Sequence, residues 1–119
     1  MQDNVVRMDE IHERIATNLR KGVLEYCVLS LLARRDMYGL ELAEELVKRE
    51  LMASEGSLYP LLARMQQGGS VTSWREARDG SRPRKYYAIT DEGRAMLSSF
   101  AEVWGRIARQ VNDTLGGKA

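Results

Sequence analysis

One cysteine, Cys27, and one histidine, His12, are present among the 119 residues. A lone cysteine excludes a disulfide within the chain and points to a reducing compartment. Cys27 sits in an apolar run and reads as a small buried hydrophobe. With one histidine on a polar stretch, no Cys/His metal set has the spacing it needs. No Ser-His-Asp set assembles and no glycine-rich loop is shaped to cradle phosphates. Catalytic residues, metal and cofactor are therefore all assigned as none, and an enzyme is not expected. No apolar run approaches the ~20 residues that span a bilayer. Asp3, Arg7, Asp9 and Glu10 stand where a secretory leader would be apolar. No membrane partner is expected, and a cytoplasmic location is. Global charge is also scarce, at a formal net +1.

What is present is ordinary in bulk: 44% hydrophobic and 29% charged residues, as in a soluble globular protein. The length favours one domain, which hides roughly 65% of its unfolded surface on folding. No internal repeat or low-complexity segment interrupts it.

Met8, Ile11, Ile15 and Leu19 fall at helical spacing on a polar stretch. Gly22 predicts a kink or break, and Val23 to Ala33 a second helix, apolar around most of its girth and hence buried on several sides. Arg34-Arg35-Asp36 ends it. After the link Met37-Tyr38-Gly39, Leu40 to Glu50 reads as an amphipathic helix with Leu40, Ala43, Leu46 and Val47 inward. Ser54 is placed as the N-cap of the next helix, its hydroxyl accepting from a first-turn amide. That helix carries Leu58, Leu61, Leu62 and Met65 inward and stops at Gly68-Gly69. Pro60 lies inside it, where a slight bend is expected because the ring removes an amide donor. Val71 to Ala77 and Lys85 to Ile89 read as strands around a turn at Asp79-Gly80. Thr90 caps a last helix extending to Leu115, with Asp91 and Glu92 favoured in its first turn.

Ser73 to Tyr87 is the basic part of this neutral chain. Arg75, Arg78, Arg82, Arg84 and Lys85 outnumber Glu76 and Asp79. Charge runs are commonly solvated faces, but this one follows two helices joined by a short turn, the order of a winged helix-turn-helix. The fold class is thus mainly α with a small β-hairpin. If the apolar residues of the third helix face the core, Gly56, Ser57, Pro60, Ala63, Arg64 and Gln67 face outward, with Tyr59 on the flank. Recognition helices place N-terminal residues on base edges, and small residues there allow close approach. The candidate DNA contacts are Ser54, Gly56, Ser57, Tyr59 and Arg64 from the helix, with Arg82, Arg84 and Lys85 from the hairpin.

Four segments make the chain resemble the PadR family of transcriptional regulators. They are Leu29-Ser30-Leu31-Leu32, Tyr38-Gly39, Ser54-Glu55-Gly56-Ser57-Leu58-Tyr59-Pro60-Leu61-Leu62, and Arg84-Lys85-Tyr86-Tyr87-Ala88-Ile89-Thr90-Asp91-Glu92-Gly93. The resemblance covers roughly Arg20 to Leu115 and matches poorly before Arg20. It implies a homodimeric winged-helix repressor of palindromic double-stranded operator DNA, of the short group with one C-terminal helix, and so a nucleoid-associated protein.

Independently of that resemblance, Leu97, Phe100, Trp104, Ile107, Val111 and Leu115 are spaced 3, 4, 3, 4 and 4 apart. That is close to a coiled-coil seam. A helix of ~25 residues is about 37 Å long, more than one small domain covers, so a two-fold dimer is expected through these six residues. Trp104 reads first as a core anchor of that dimer. The resemblance implies a second role, as the aromatic wall of an apolar pore that holds planar ligands between subunits, with Tyr26 and Ser30 beside it. The expected division is an N-terminal helical extension (1–20), a winged helix-turn-helix (21–90), a dimerisation helix (91–115) and a disordered tail (116–119). The function expected is a dimeric DNA-binding repressor relieved by a small aromatic ligand; the alternative is a winged-helix protein–protein module without specific DNA binding.

Overall fold

The computed structural model describes residues 2–117. Helix α1 runs unbroken from Gln2 to Arg34, through the break expected at Gly22. A mid-helix glycine costs about 1 kcal/mol relative to alanine, which is too little to stop a helix with strong formers on both sides. No atom lies within 4 Å of where a Gly22 Cβ would stand, so no close approach requires the glycine.

Strand β1 (Met37–Tyr38) leads directly into α2 (Gly39–Lys48). Helix α2 ends with Glu50 in the left-handed region (φ 59°). The Leu51 amide donates back to the Leu46 carbonyl at 2.9 Å, which satisfies a terminal carbonyl and turns the chain. The buried side of α2 is Gly39, Leu42, Ala43 and Leu46. This corrects the expected face: Leu40 and Val47 are 45% and 41% exposed, and Leu42 takes the inward place. The glycine starts the helix against the protein body and so rotates the face that follows.

The connection to α3 contains a single 3-10 turn, Glu55–Ser57, before the α-helix proper, Leu58–Gln67. Ser54 is the N-cap residue by position but its side chain makes no cap hydrogen bond, contrary to expectation. The 3-10 turn also removes the difficulty at Pro60. Because α3 starts at Leu58, Pro60 falls in its first turn, where amides lack intrahelical partners anyway. At the far end Gly69 takes φ 87°. The Ser70 amide reaches the Met65 carbonyl at 3.0 Å and the Gly69 amide reaches Gln66 at 3.2 Å. This paired closure is the one a left-handed glycine permits.

Strands β2 (Val71–Glu76) and β3 (Arg84–Ile89) pair antiparallel from Val71↔Ile89 to Glu76↔Arg84. Strand β1 adds on the other side of β3, with Met37↔Tyr87 and Tyr38↔Tyr86. The sheet order is β1-β3-β2. Asp79 and Gly80 both have positive φ, 57° and 68°, as primed hairpin turns need. Leu29, Leu32, Leu42, Leu46, Leu58 and Leu62 are all at most 2% exposed and form the centre of the core. Cys27 packs against that core and burial pushes its thiol pKa up, as suits an apolar packing residue rather than a nucleophile. Gly116 and Gly117 form a turn at the end of the last helix, and residues 118–119 of the expected tail lie outside the described residues.

Helix α4 (Asp91–Leu115) opens on Thr90, whose Oγ1 accepts from the Gly93 amide at 3.0 Å. The same hydroxyl donates to the Gly69 carbonyl at 2.6 Å. A Cβ at Gly93 would strike the Ser70 carbonyl and crowd the Ile89 side chain. Backbone cannot yield as a side-chain tip does, so Gly93→Ala is expected to destabilise the fold by about 1–3 kcal/mol or more. Thr90→Ala is expected to cost about 1 kcal/mol through the lost cap. Urea unfolding followed by circular dichroism measures both, and a Gly93→Ala protein as stable as wild type would refute the close approach.

Candidate functional site

Helix α3 shows one face to solvent. Gly56, Ser57, Tyr59, Pro60, Ala63, Arg64 and Gln67 are all exposed, as the outward face was expected to be, although Gly56 and Ser57 belong to the 3-10 turn. Beside this face a cleft of about 920 Å³ separates α3 from the hairpin. Tyr59, Ala63, Gln66 and Gln67 line one wall, and Tyr38, Arg84, Lys85 and Tyr87 the other. Ser73 Oγ donates to Gln66 Oε1 at 2.9 Å and ties the hairpin to α3. Tyr59 Cε1 lies 3.0 Å from where a Gly39 Cβ would be, so the ring packs closely over the glycine. Partial burial, then Glu55 and Tyr87, push the Tyr59 phenol pKa up. Its hydroxyl is therefore a donor at neutral pH.

The cations of the hairpin divide into two groups. Arg78 is held: its Nε donates to Glu76 Oε2 at 2.9 Å, and its guanidinium lies 3.9 Å from the Tyr86 ring centroid. Trp74 Nε1 donates to the other Glu76 oxygen at 2.8 Å. Arg82, Arg84 and Lys85 make no ion pair among the described residues. Arg84 lies 4.3 Å over the Tyr38 ring, which meets Tyr86 edge-on at 5.6 Å. An aromatic face attracts a cation without neutralising it, so Arg84 is oriented and still available. Arg75 stands directly opposite Lys85 in the register. Like charges so placed repel, and an anion between them relieves that. Sequence reasoning missed Tyr38: a two-residue strand is too short to show periodicity, and only the Tyr-Gly link marks the place.

A second cavity, about 750 Å³, lies between α1 and α4. Tyr26, Phe100 and Trp104 line it as consecutive stacked rings, with centroids 4.3 Å apart for Tyr26–Phe100 and 5.9 Å for Phe100–Trp104. Ser30, expected beside Tyr26, does not line it. Along the α4 seam Leu97 and Phe100 are half-buried. Trp104, Ile107, Val111 and Leu115 are 50%, 46%, 49% and 81% exposed.

The family model of the transcriptional regulator PadR-like family matches residues 28–99, more than half the chain. The chain belongs to that family. A PadR-family transcriptional regulator from Eggerthella lenta superposes with a TM-score of 0.82 at 34% identity, over 92% of this chain and 96% of that one. A PadR-like regulator from Bacillus cereus gives 0.76 at 40% identity, over 82% and 96%. A transcriptional regulator of Mycobacterium tuberculosis is 34% identical over 84% of this chain and 90% of its own length. This PadR-like chain is accordingly a winged-helix transcriptional regulator, and its relatives are regulators rather than enzymes. The family match takes in the helix-turn-helix, the hairpin and the start of α4. It leaves out the N-terminal part of α1 and the far half of α4.

The Arg78 guanidinium, then the Trp74 indole, holds the Glu76 carboxyl below the ordinary glutamate value of 4.5. A lowered folded-state pKa stabilises the hairpin above the unfolded-chain value, and that contribution is lost as pH falls through the folded value. The Trp74 indole proton resonance should therefore shift on acidification with a midpoint below 4.5. Glu76→Gln should abolish that step. A wild-type midpoint at or above the ordinary value would refute the clamp.

Proposed function

We propose that the protein is a homodimeric repressor that reads operator DNA with α3 and the hairpin, and is relieved by a planar aromatic ligand. One observation carries the reading: the cleft beside the exposed face of α3 is walled by Arg84 and Lys85, which make no ion pair among the described residues. Major-groove readers need a protruding helix for base edges and flanking cations for the backbone. Ser57, Tyr59 and Arg64 supply the first element, with Ser54 and Gly56 at its leading end. Arg82, Arg84 and Lys85 supply the second. In this reading 21–90 is the DNA-binding unit, 91–115 the dimerisation helix, and 1–20 an extension of α1.

Dimerisation is supported by shape and by exposure. The radius of gyration is 17.5 Å, against about 13.5 Å for a compact domain of this length. The long helix α4 contributes to that excess, and its Trp104, Ile107, Val111 and Leu115 stay 50%, 46%, 49% and 81% exposed. A second copy that packs along Leu97, Phe100, Trp104, Ile107, Val111 and Leu115 buries them, and presents two α3 helices to successive turns of a duplex. The Tyr26–Phe100–Trp104 stack supports the ligand: flat rings already parallel accept another flat ring at little cost. Relief of repression requires that this ligand favour a different spacing of the two α3 helices than DNA does.

The test uses a duplex enriched from a random pool on the wild-type protein, titrated at several salt concentrations. Wild type should saturate at two chains per duplex with a steep salt slope. Arg82→Ala/Arg84→Ala should weaken binding and flatten the slope by about 0.9 per phosphate no longer neutralised. Unchanged affinity and slope would favour a protein–protein module instead. For the ligand, tryptophan emission should change saturably with a planar aromatic such as a bis-benzimidazole dye, and Trp104→Ala should abolish the change while Trp74→Phe retains it. An identical response from Trp104→Ala would remove Trp104 from the site.

A further inference from the structure

A third cleft, of about 490 Å³, lies on the other side of α3 from the hairpin. One wall comes from the middle of α1, including Thr17, Arg20 and Lys21. The opposite wall comes from α3, through Ser57, Leu61 and Arg64. Its lining therefore carries three cations and the hydroxyls of Thr17, Ser57 and Tyr26, and Glu25 is the one acid among the lining residues. Lys21 and Arg64 have no ion-pair partner among the described residues, and Arg20 pairs with Glu13 at 3.2 Å on an open surface. Exposed pairs of that kind contribute little and exchange readily.

The placement is informative because of groove geometry. An α-helix with side chains is about 10–12 Å across and the major groove about 12 Å wide. A helix seated in it has a phosphate backbone on each side. The hairpin cleft, with Arg84 and Lys85, lies along one flank of α3 and accounts for one backbone. The α1 cleft lies along the opposite flank, and Arg64 reaches into it from α3 itself.

We propose that the α1 cleft is a second backbone seat, in which Lys21 and Arg20, with Arg64, hold the phosphodiesters of the strand opposite the one the hairpin holds. Thr17 and Ser57 supply hydroxyl donors to the same oxygens. The chemistry recognised is a phosphodiester anion, and the occupant is duplex DNA. The inference rests on the reading of α3 as the groove-entering helix. It assigns a role to a stretch of α1 that lies outside the region matching the family model, which starts at residue 28.

The experiment compares Lys21→Ala, Lys21→Arg and Arg84→Ala with wild type in the full chain, on the duplex enriched by wild type. Fluorescence anisotropy gives the salt slope and phosphate-ethylation interference maps the backbone that the protein touches. Lys21→Ala should lower the slope by about 0.9 for each phosphate it leaves unneutralised. It should also erase the interference signals on the flank that Arg84→Ala leaves intact. Lys21→Arg should keep both. Circular dichroism checks that each variant is folded, and Lys21 is exposed, so truncation leaves no buried gap. A wild-type slope and wild-type interference pattern for Lys21→Ala, beside a reduced slope for Arg84→Ala, would overturn the seat and leave the DNA reading standing. Loss of inorganic phosphate binding in Lys21→Ala with DNA binding unchanged would assign the cleft to a small anion and also overturn it. If wild type itself shows no salt-dependent binding, the DNA reading fails and the seat falls with it.

Discussion

The position of every candidate DNA-binding side chain depends on one junction, where α3 ends and α4 begins. Thr90 Oγ1 donates to the Gly69 carbonyl at 2.6 Å and accepts from the Gly93 amide at 3.0 Å. The Thr90 amide donates to the Ser70 carbonyl at 3.1 Å, and Ser70 Oγ donates back to Met65 at 3.2 Å. Four elements meet within these few bonds: the end of α3, the start of β2, the end of β3 and the start of α4. Ser70 is 2% exposed, so its polar groups have no water to fall back on and must be paired inside. The angle between the hairpin and α3, and hence the width of the cleft between them, follows from that requirement. The same bonds fix the direction in which α4 leaves the domain.

The second organising constraint is α1, which lies between the two ends of the problem. Gly22 and Tyr26 line both the cleft beside α3 and the aromatic cavity beside α4. One helix is thus the partition between the surface read as DNA-facing and the surface read as ligand-facing. An unbroken helix transmits displacement along its axis, whereas a helix broken at Gly22 would absorb it. The continuity at Gly22 that contradicts the sequence reading keeps both surfaces on one element.

Local features were legible in the sequence, and features set by distant parts of the chain were not. The Thr90 cap, the turn at Asp79-Gly80 and the stop at Gly68-Gly69 each depend on a few adjacent residues, and all three are found. The bounds of α4 follow from a spacing sustained over its whole length. The inward face of α2 was misread at Leu40 and Val47 because the phase of a ten-residue helix is set by Gly39 docking under Tyr59, a packing between segments. Tyr38 was missed because its strand exists only by pairing with β3. The Ser54 hydroxyl was misassigned because a 3-10 turn, invisible to periodicity, precedes α3. At the candidate site the cations were readable by type, but not their state. Arg78 and Arg84 look alike in the sequence, and Glu76 stands opposite Arg84 in the register; only the folded side chains, with Arg78 on Glu76 and Arg84 over the Tyr38 ring, tell them apart.

That separation explains why a basic hairpin on a neutral chain need not be a solvated loop. A loop evolved only for solubility has no need to orient its charges, because water solvates them in any position. Here the one hairpin carboxylate within reach pins Arg78 and the Trp74 indole, which stiffens the strand pair at its tip. The cost of ordering the hairpin is thereby met before any partner arrives. Arg84 is aimed by an aromatic face instead of a carboxylate, which fixes its direction while leaving its charge whole. Arg75 and Lys85 stand opposite one another, and neither makes an ion pair among the described residues. Oriented cations that make no ion pair among the described residues are favourable against an anion, which is the physical basis of the DNA reading proposed above.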